Sequence, residues 1–173
     1  HDQLDRHMHL LVYGEYIQSN QVLLAKALAK TLDLPLSNTS PFGKMDNVYF
    51  TNSGTEAVEG AMKLAKRFTR RAEFVSCINA YHGATQGALS LSGDENFIRS
   101  FRPLIPSIRN IRHGVIEDLA QITSNTAGVV IEVVGGESGI NVPSDEYIQA
   151  LRQRCTEVGA LLIIDEIQTG FGR

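Results

Sequence analysis

Apolar residues recur along this chain in two rhythms, and the rhythm changes near residue 48. Before it, Val22, Leu23, Ala27, Leu28 and Leu32 fall on one face at helical spacing, with Asn20 placed to cap the helix. Residues 34–47 carry Pro35, Ser37, Asn38, Ser40, Pro41 and Gly43 and read as a loop. From there on, short apolar runs alternate with helical spacing. Residues 48–50 predict a short strand. A helix follows over 54–70, with Ala57, Val58, Ala61, Met62, Ala65 and Phe68 facing inward and Glu59 one turn from Lys63. Next come a strand at 74–78, a loop with a short helix at 81–91, and a stretch broken by Pro103 and Pro106. A strand at 108–112 and a short helix at 115–122 lead into the most apolar run, 128–134. Pro143 and Ser144 open a helix whose face is Tyr147, Ile148, Leu151, Cys155 and Val158, and Gly159 closes it. A last apolar strand over 161–165 ends on Asp165.

Strands that are apolar throughout, separated by helices, predict an α/β fold. The sheet is expected to be predominantly parallel, with helices on both faces. In such sheets ligands sit beyond the carboxyl ends of the strands. The residues to inspect are therefore Ser53, Gly54 and Thr55, then Tyr81, His82 and Gly83, then Glu132 to Gly139, and Asp165 to Gln168.

Composition narrows the function. With 173 residues, 43% hydrophobic and 20% charged, the chain can bury a core and is not a disordered segment. Its apolar runs are too short to span a bilayer. A net charge of −3 with no basic block argues against nucleic acid and against anionic membranes as partners. Cys77 and Cys155 have neither disulfide-framework nor zinc-ligand spacing, which suits a reducing, cytoplasmic setting. The His7-Met8-His9 pair lacks a third ligand, so no metal is expected.

Four segments carry candidate chemistry. Ser53 and Glu56 form a capping box at the start of a helix, worth about 1 kcal/mol. The same helix end leaves the amides of Gly54 and Thr55 and the Thr55 hydroxyl available to an anion such as phosphate. Asp165 ends a buried strand and needs a partner. With Glu166 it resembles a Walker B pair, but the Gly-Lys of Gly43-Lys44 lacks the rest of a phosphate loop, which disfavours a nucleotide-binding α/β module. A protonated ring nitrogen suits Asp165 instead. At about 4 Å and an effective dielectric near 20 the pair gains about 4 kcal/mol, or about three pKa units. Tyr81 can stack on a flat ligand or pack in the core, His82 can be structural, and Glu132, inside an apolar run, needs a hydrogen-bond partner.

Four segments, TNSGTEA (51–57), AYHG (80–83), EVVGGESG (132–139) and LLIIDEIQTGFGR (161–173), occur in this order. Together they resemble the class III, pyridoxal-phosphate-dependent aminotransferases of fold type I, from about Gly14 to the last residue. The resemblance implies pyridoxal 5'-phosphate as cofactor. It implies amino transfer from an amine or amino acid to a 2-oxo acid such as 2-oxoglutarate, in a homodimer. Ser53, Gly54 and Thr55 then match the phosphate cup, Tyr81 the aromatic stacked on the ring, and His82 the histidine after it. Asp165 matches the carboxylate on the pyridine nitrogen and Gln168 the amide on the ring hydroxyl. Glu132 matches a buried glutamate supporting that pair, and Glu137 a gate that pairs with a downstream arginine.

The departures also bear on function. Val133 and Gly135 stand where the family commonly reads Pro and Gln in EPxQGE. Ala84 replaces the Arg of acetylornithine-using members, which argues against an acetylated ornithine. Gln168 in place of Met favours a transaminase over a mutase. The family's Schiff-base lysine lies beyond DEIQTG, and here no lysine follows Lys66; the others are Lys26, Lys30, Lys44 and Lys63. The chain also begins at His1 and stops in turn chemistry at Thr169 to Arg173. The expectation is an N-terminal segment over 1–45 and, over 46–173, an incomplete cofactor-binding domain truncated before the lysine and inactive alone. The alternative is a non-catalytic relative. Arg99, Arg102, Arg109 and Arg112 are expected to be solvated.

Overall fold

The structure, a computed structural model, describes residues 1–8, 17–32 and 45–172. The expected loop from Pro35 to Gly43 falls outside these residues. So do His9, Gly14 to Tyr16, Lys44 and Arg173. The chain divides into two compact units, His1–Phe50 and Thr51–Arg173.

The first unit contributes α1 (Asp2–His7) and α2 (Ser19–Thr31). Gln18, not Asn20, is the N-cap of α2, and the Asn20 amide donates instead to Gln3 Oε1 at 3.1 Å. The expected apolar face stays open, with Leu23 64% exposed. Among the described residues of this unit, α1 and α2 are the regular elements. Residues 48–50 form no regular element, contrary to expectation. Three apolar residues are too short a pattern to tell extended coil from strand.

The second unit opens with α3 (Gly54–Thr69), followed by β1 (Glu73–Cys77), α4 (Gln86–Leu91) and α5 (Glu95–Ile98). After them come β2 (Ile108–Ile111), β3 (Thr126–Glu132), α6 (Asp145–Val158) and β4 (Leu161–Asp165). The segment expected as a helix near 115–122 is a 3-10 turn, Ile116–Gln121. All four strands are parallel, in the order β2-β1-β3-β4. Alternate residues feed two cores. Val75, Val129 and Ile131 pack with Tyr147, Leu151 and Cys155 of α6 on one face. Phe74 and Val130 pack with Val58, Met62 and Ala65 of α3 and with Leu91 of α4 on the other. Helices on both faces explain why no strand alternates polar with apolar residues. Phe68, expected inward, is 63% exposed.

Local chemistry sets the ends. Ser53 caps α3 by accepting from the Glu56 amide at 3.3 Å, and the Glu56 carboxylate accepts from the Asn52 amide at 2.8 Å. Ser144 caps α6, and Gly159 ends it in the left-handed region at φ 70°. Cys77 and Cys155 are free and buried, and burial pushes their thiols up to about 12 and about 11. The four arginines expected in solvent are exposed, and three of them hold carboxylates: Arg102 bonds Glu95, Arg109 bonds Glu73 at 2.9 Å, and Arg112 grips Asp118 at 2.7 Å. No described helix is long and apolar enough to cross a membrane.

Candidate active site

The carboxyl ends of β1, β3 and β4 and the amino end of α3 open on one cavity of about 260 Å³. Gly54, Thr55, Tyr81, His82, Glu132, Asp165 and Gln168 all line it, so seven of the predicted residues converge from four segments. Thr55 and Asp165, 110 positions apart in the chain, thus face one space. Gly83, Ala84 and Ile167 complete the wall. Ser53 is not among the lining residues, and its hydroxyl is committed to the helix cap. Glu137 is exposed and also lies off the wall. It sits in a turn closed by the Gly135–Asn141 bridge, where each amide bonds the other residue's carbonyl at 2.9 and 3.2 Å.

The floor is a buried set of three ionisable groups. Parallel pairing puts Glu132 of β3 and Asp165 of β4 in register. The Asp165 side chain is 6% exposed, and its Oδ2 lies 2.8 Å from Nδ1 of His82, whose side chain is fully buried. Its Oδ1 accepts from the Ile167 amide at 3.0 Å. The buried carboxylate therefore has a partner within the chain that sequence reasoning did not assign to it. His82 Nε2 is buried and has no hydrogen-bond partner. Glu132 receives the amides of Gly136 and Tyr81. Burial nonetheless pushes its carboxyl above the usual range; His82 and the two amides pull it down, and Asp165 adds to the rise. The Gln168 amide lies against Gly136, where any Cβ would collide with it. Tyr81 packs its ring edge-tilted on Phe97, centroids 5.7 Å apart and planes at 59°.

The upper wall is α3 and the loop entering α4. The amides of Gly54 and Thr55 have no acceptor within the helix and so suit an anion. Glu59, expected to pair with Lys63, turns away from it. Its Oε1 accepts from the Thr85 hydroxyl at 2.7 Å, the Gly87 amide at 2.7 Å and the Ala88 amide at 3.2 Å. Thr85 is the N-cap residue of α4 but its hydroxyl makes no cap, and Glu59 takes the first free amides of that helix in its place. Gly83 is required twice over: its φ is +134°, and a Cβ there would sit 2.5 Å from Thr55 Oγ1. Gly83→Ala is expected to cost about 1–3 kcal/mol, read as a lower urea midpoint at unchanged slope.

Among the described residues no group of three His, Cys, Asp or Glu is placed to hold a metal. The cavity instead fits a flat, phosphorylated, ring-bearing molecule. It offers unpaired helix amides at one end, a buried carboxylate at the other, and an orphaned imidazole nitrogen in its wall.

Fold and cavity together define a ligand-binding parallel α/β protein. The chain belongs to the class-III aminotransferase family, which matches it over residues 2–173. It is 42% identical over 130 residues to a [LysW]-aminoadipate semialdehyde/glutamate semialdehyde transaminase of Sulfurisphaera tokodaii, covering 75% of this chain and 34% of that protein. It is 37% identical over 175 residues to an acetylornithine aminotransferase of Methanopyrus kandleri, covering 99% and 42%. The fold matches an amine transaminase from an uncultivated Pseudomonas species, solved in its pyridoxal-phosphate-bound form, with a TM-score of 0.84 at 25% identity over 99% of this chain and 44% of that one. The chain thus spans less than half the length of each of these relatives.

Proposed function

We propose that this chain carries the cofactor pocket of a pyridoxal-phosphate-dependent aminotransferase. The enzyme moves an amino group from an amine or amino acid to a 2-oxo acid, 2-oxoglutarate being the preferred candidate. The observation that carries this is the single cavity shared by the amino end of α3 and the Asp165 carboxyl. When bound, the cofactor supplies an electron sink for the amino acid's α-carbon. The chain's own residues bind and orient it. The amides of Gly54 and Thr55, with Ser53 beside them, hold the phosphate, and Tyr81 covers the ring. Asp165, steadied by His82, keeps the ring nitrogen protonated, and Glu132 supports that pair from the next strand. Gln168 meets the ring hydroxyl, and Glu137 acts as a gate from its exposed turn. The names of the similar proteins support amino transfer. Ala84 on the cavity wall leaves space where an Arg would narrow the choice of donor.

The lysine must come from sequence beyond this segment. Lys63 is exposed on α3 and Lys66 lies over the Phe74 ring at 5.7 Å, and neither lines the cavity. Strand β4 is an outer strand of the sheet and borders an apolar groove of about 590 Å³ lined by Ile163, Ile164, Ile167 and Phe171. This supports a larger domain that continues there; a homodimer in the cytoplasm is the working assembly we propose for it. The test is to add pyridoxal phosphate to the 173-residue chain and to a polypeptide continued past Arg173. The short chain is expected to retain the cofactor without a lysine-linked absorbance band or turnover, and the longer one to show both. A normal band with turnover from the short chain, or no cofactor binding by either, overturns the proposal.

A further inference from the structure

Gly136 stands in the turn after β3, and its backbone does not call for a glycine. Gly139, in the same turn, sits at φ +98°, a conformation that L side chains rarely adopt. Gly136 has no such positive φ, so a residue with a side chain could take its backbone conformation. What excludes a side chain there is a neighbour. A Cβ at Gly136 would overlap Gln168 Oε1, and would come 3.0 Å from Gln168 Cδ and 3.4 Å from its Nε2. These are the three nearest atoms, and all belong to one side chain. Gly136 is itself tied down. Its amide donates to the Glu132 carboxyl, and its carbonyl accepts from the Gly139 amide at 3.3 Å. The Asn141 side-chain amide braces the same turn by donating to the Ser138 carbonyl at 2.6 Å. Gln168 is the opposite case. It lies in the exposed turn after β4, and among the described residues no hydrogen bond holds its side-chain amide. Packing on Gly136 therefore sets its place.

We propose that Gly136 is a positioning residue for the ring end of the cavity: its bare Cα is the seat that keeps the Gln168 amide in the cavity wall, where that amide meets the ring hydroxyl. This deepens the cofactor reading and rests on it. In the contact, Gly136 is the fixed partner, tied to Glu132 on the strand beside β4, and Gln168 is the movable one. A methyl group at 136 need not distort the turn, because the atoms it meets are the far end of a flexible side chain that can swing into solvent. The ring would then lose its amide while the fold stayed in place. A glycine needed only by the turn predicts the reverse. Stability would fall, and every ligand of the cavity would be weakened alike.

The test uses two probes, pyridoxal phosphate and its analogue without the ring hydroxyl. Each is titrated by absorbance into the cofactor-free polypeptide continued past Arg173, with thermal melting of the same samples. Gln168→Ala sets the scale. It is expected to weaken pyridoxal phosphate about fivefold, which is about 1 kcal/mol, and to leave the analogue within about twofold. Gly136→Ala is expected to reproduce both results with a melting midpoint within about 2 °C of the unaltered protein. The double variant Gly136→Ala/Gln168→Ala is expected to match Gln168→Ala, because both changes act on one contact. Should Gly136→Ala fail to fold, Gly136→Ala/Gln168→Gly, with the obstacle removed, is expected to melt as Gln168→Gly does. Equal weakening of both probes by Gly136→Ala overturns the proposal. So does unchanged binding of pyridoxal phosphate, a further loss in the double variant, or a Gly136→Ala/Gln168→Gly protein that still fails to fold. A Gln168→Ala variant that does not distinguish the probes overturns the ring-hydroxyl role of Gln168, and this proposal with it. Failure of the unaltered protein to bind either probe overturns instead the cofactor reading beneath both.

Discussion

Asp165→Asn is expected to cut amino-transfer activity about a thousandfold while leaving the fold in place. The change keeps the shape of the side chain and an oxygen for the Ile167 amide, which Asp165 now bonds at 3.0 Å. It also leaves a polar atom facing Nδ1 of His82, now at 2.8 Å. What it removes is the charge. A carboxylate about 4 Å from a protonated ring nitrogen, at an effective dielectric near 20, contributes about 4 kcal/mol, and that energy corresponds to about three orders of magnitude in rate. The measurement is kcat/KM in a polypeptide that supplies the lysine, beside the melting midpoint, which should move by only a few degrees. Asp165→Ala separates the two roles. It also strips His82 of its partner and leaves a fully buried imidazole unpaired, adding about 1–3 kcal/mol of lost stability. An Asp165→Asn variant with undiminished activity would place the ring nitrogen elsewhere.

The second large effect is on stability and lies far from the cavity. Arg71 Nη1 bonds three backbone carbonyls: Thr126 at 3.1 Å, Val158 at 2.8 Å and Gly159 at 3.1 Å. Thr126 opens β3, and Val158 and Gly159 end α6. One guanidinium thus joins the strand that carries Glu132 to the helix that covers it, and satisfies carbonyls that the helix end leaves over. Bonds to a charged donor are worth about 1.5–3 kcal/mol each, with overlap when one group makes several. Arg71→Ala is expected to cost about 3–4 kcal/mol, seen as a large drop in the urea midpoint. Arg71→Lys should recover only part, because an ammonium cannot reproduce the planar fork. A loss within about 0.5 kcal/mol would mean that water replaces the clamp.

Much of the cavity was legible because its residues stand at strand ends and a helix start, where periodicity alone locates them. The run 128–134 marked β3, Leu161 to Asp165 marked β4, and the Ser53–Glu56 capping box marked the start of α3. Parallel topology then placed their carboxyl ends together. Elements without a strong period were misjudged. The three residues of 48–50 form no strand, and Phe68 stays in solvent although its spacing fits the inner face of α3.

The sequence by itself determined the order of elements, the parallel sheet, the caps, and which side chains could meet a phosphate and a ring. It could not determine which polar atom satisfies which. A carboxylate at a strand end signals only that it needs a partner, and distant residues compete for it. Tertiary structure decided that Asp165 takes His82, that Glu59 leaves Lys63 for Thr85, and that Arg71 reaches across 87 positions to Val158. Those choices depend on distances between segments far apart in the chain, and hydrogen bonds are lost within less than an ångström of misplacement.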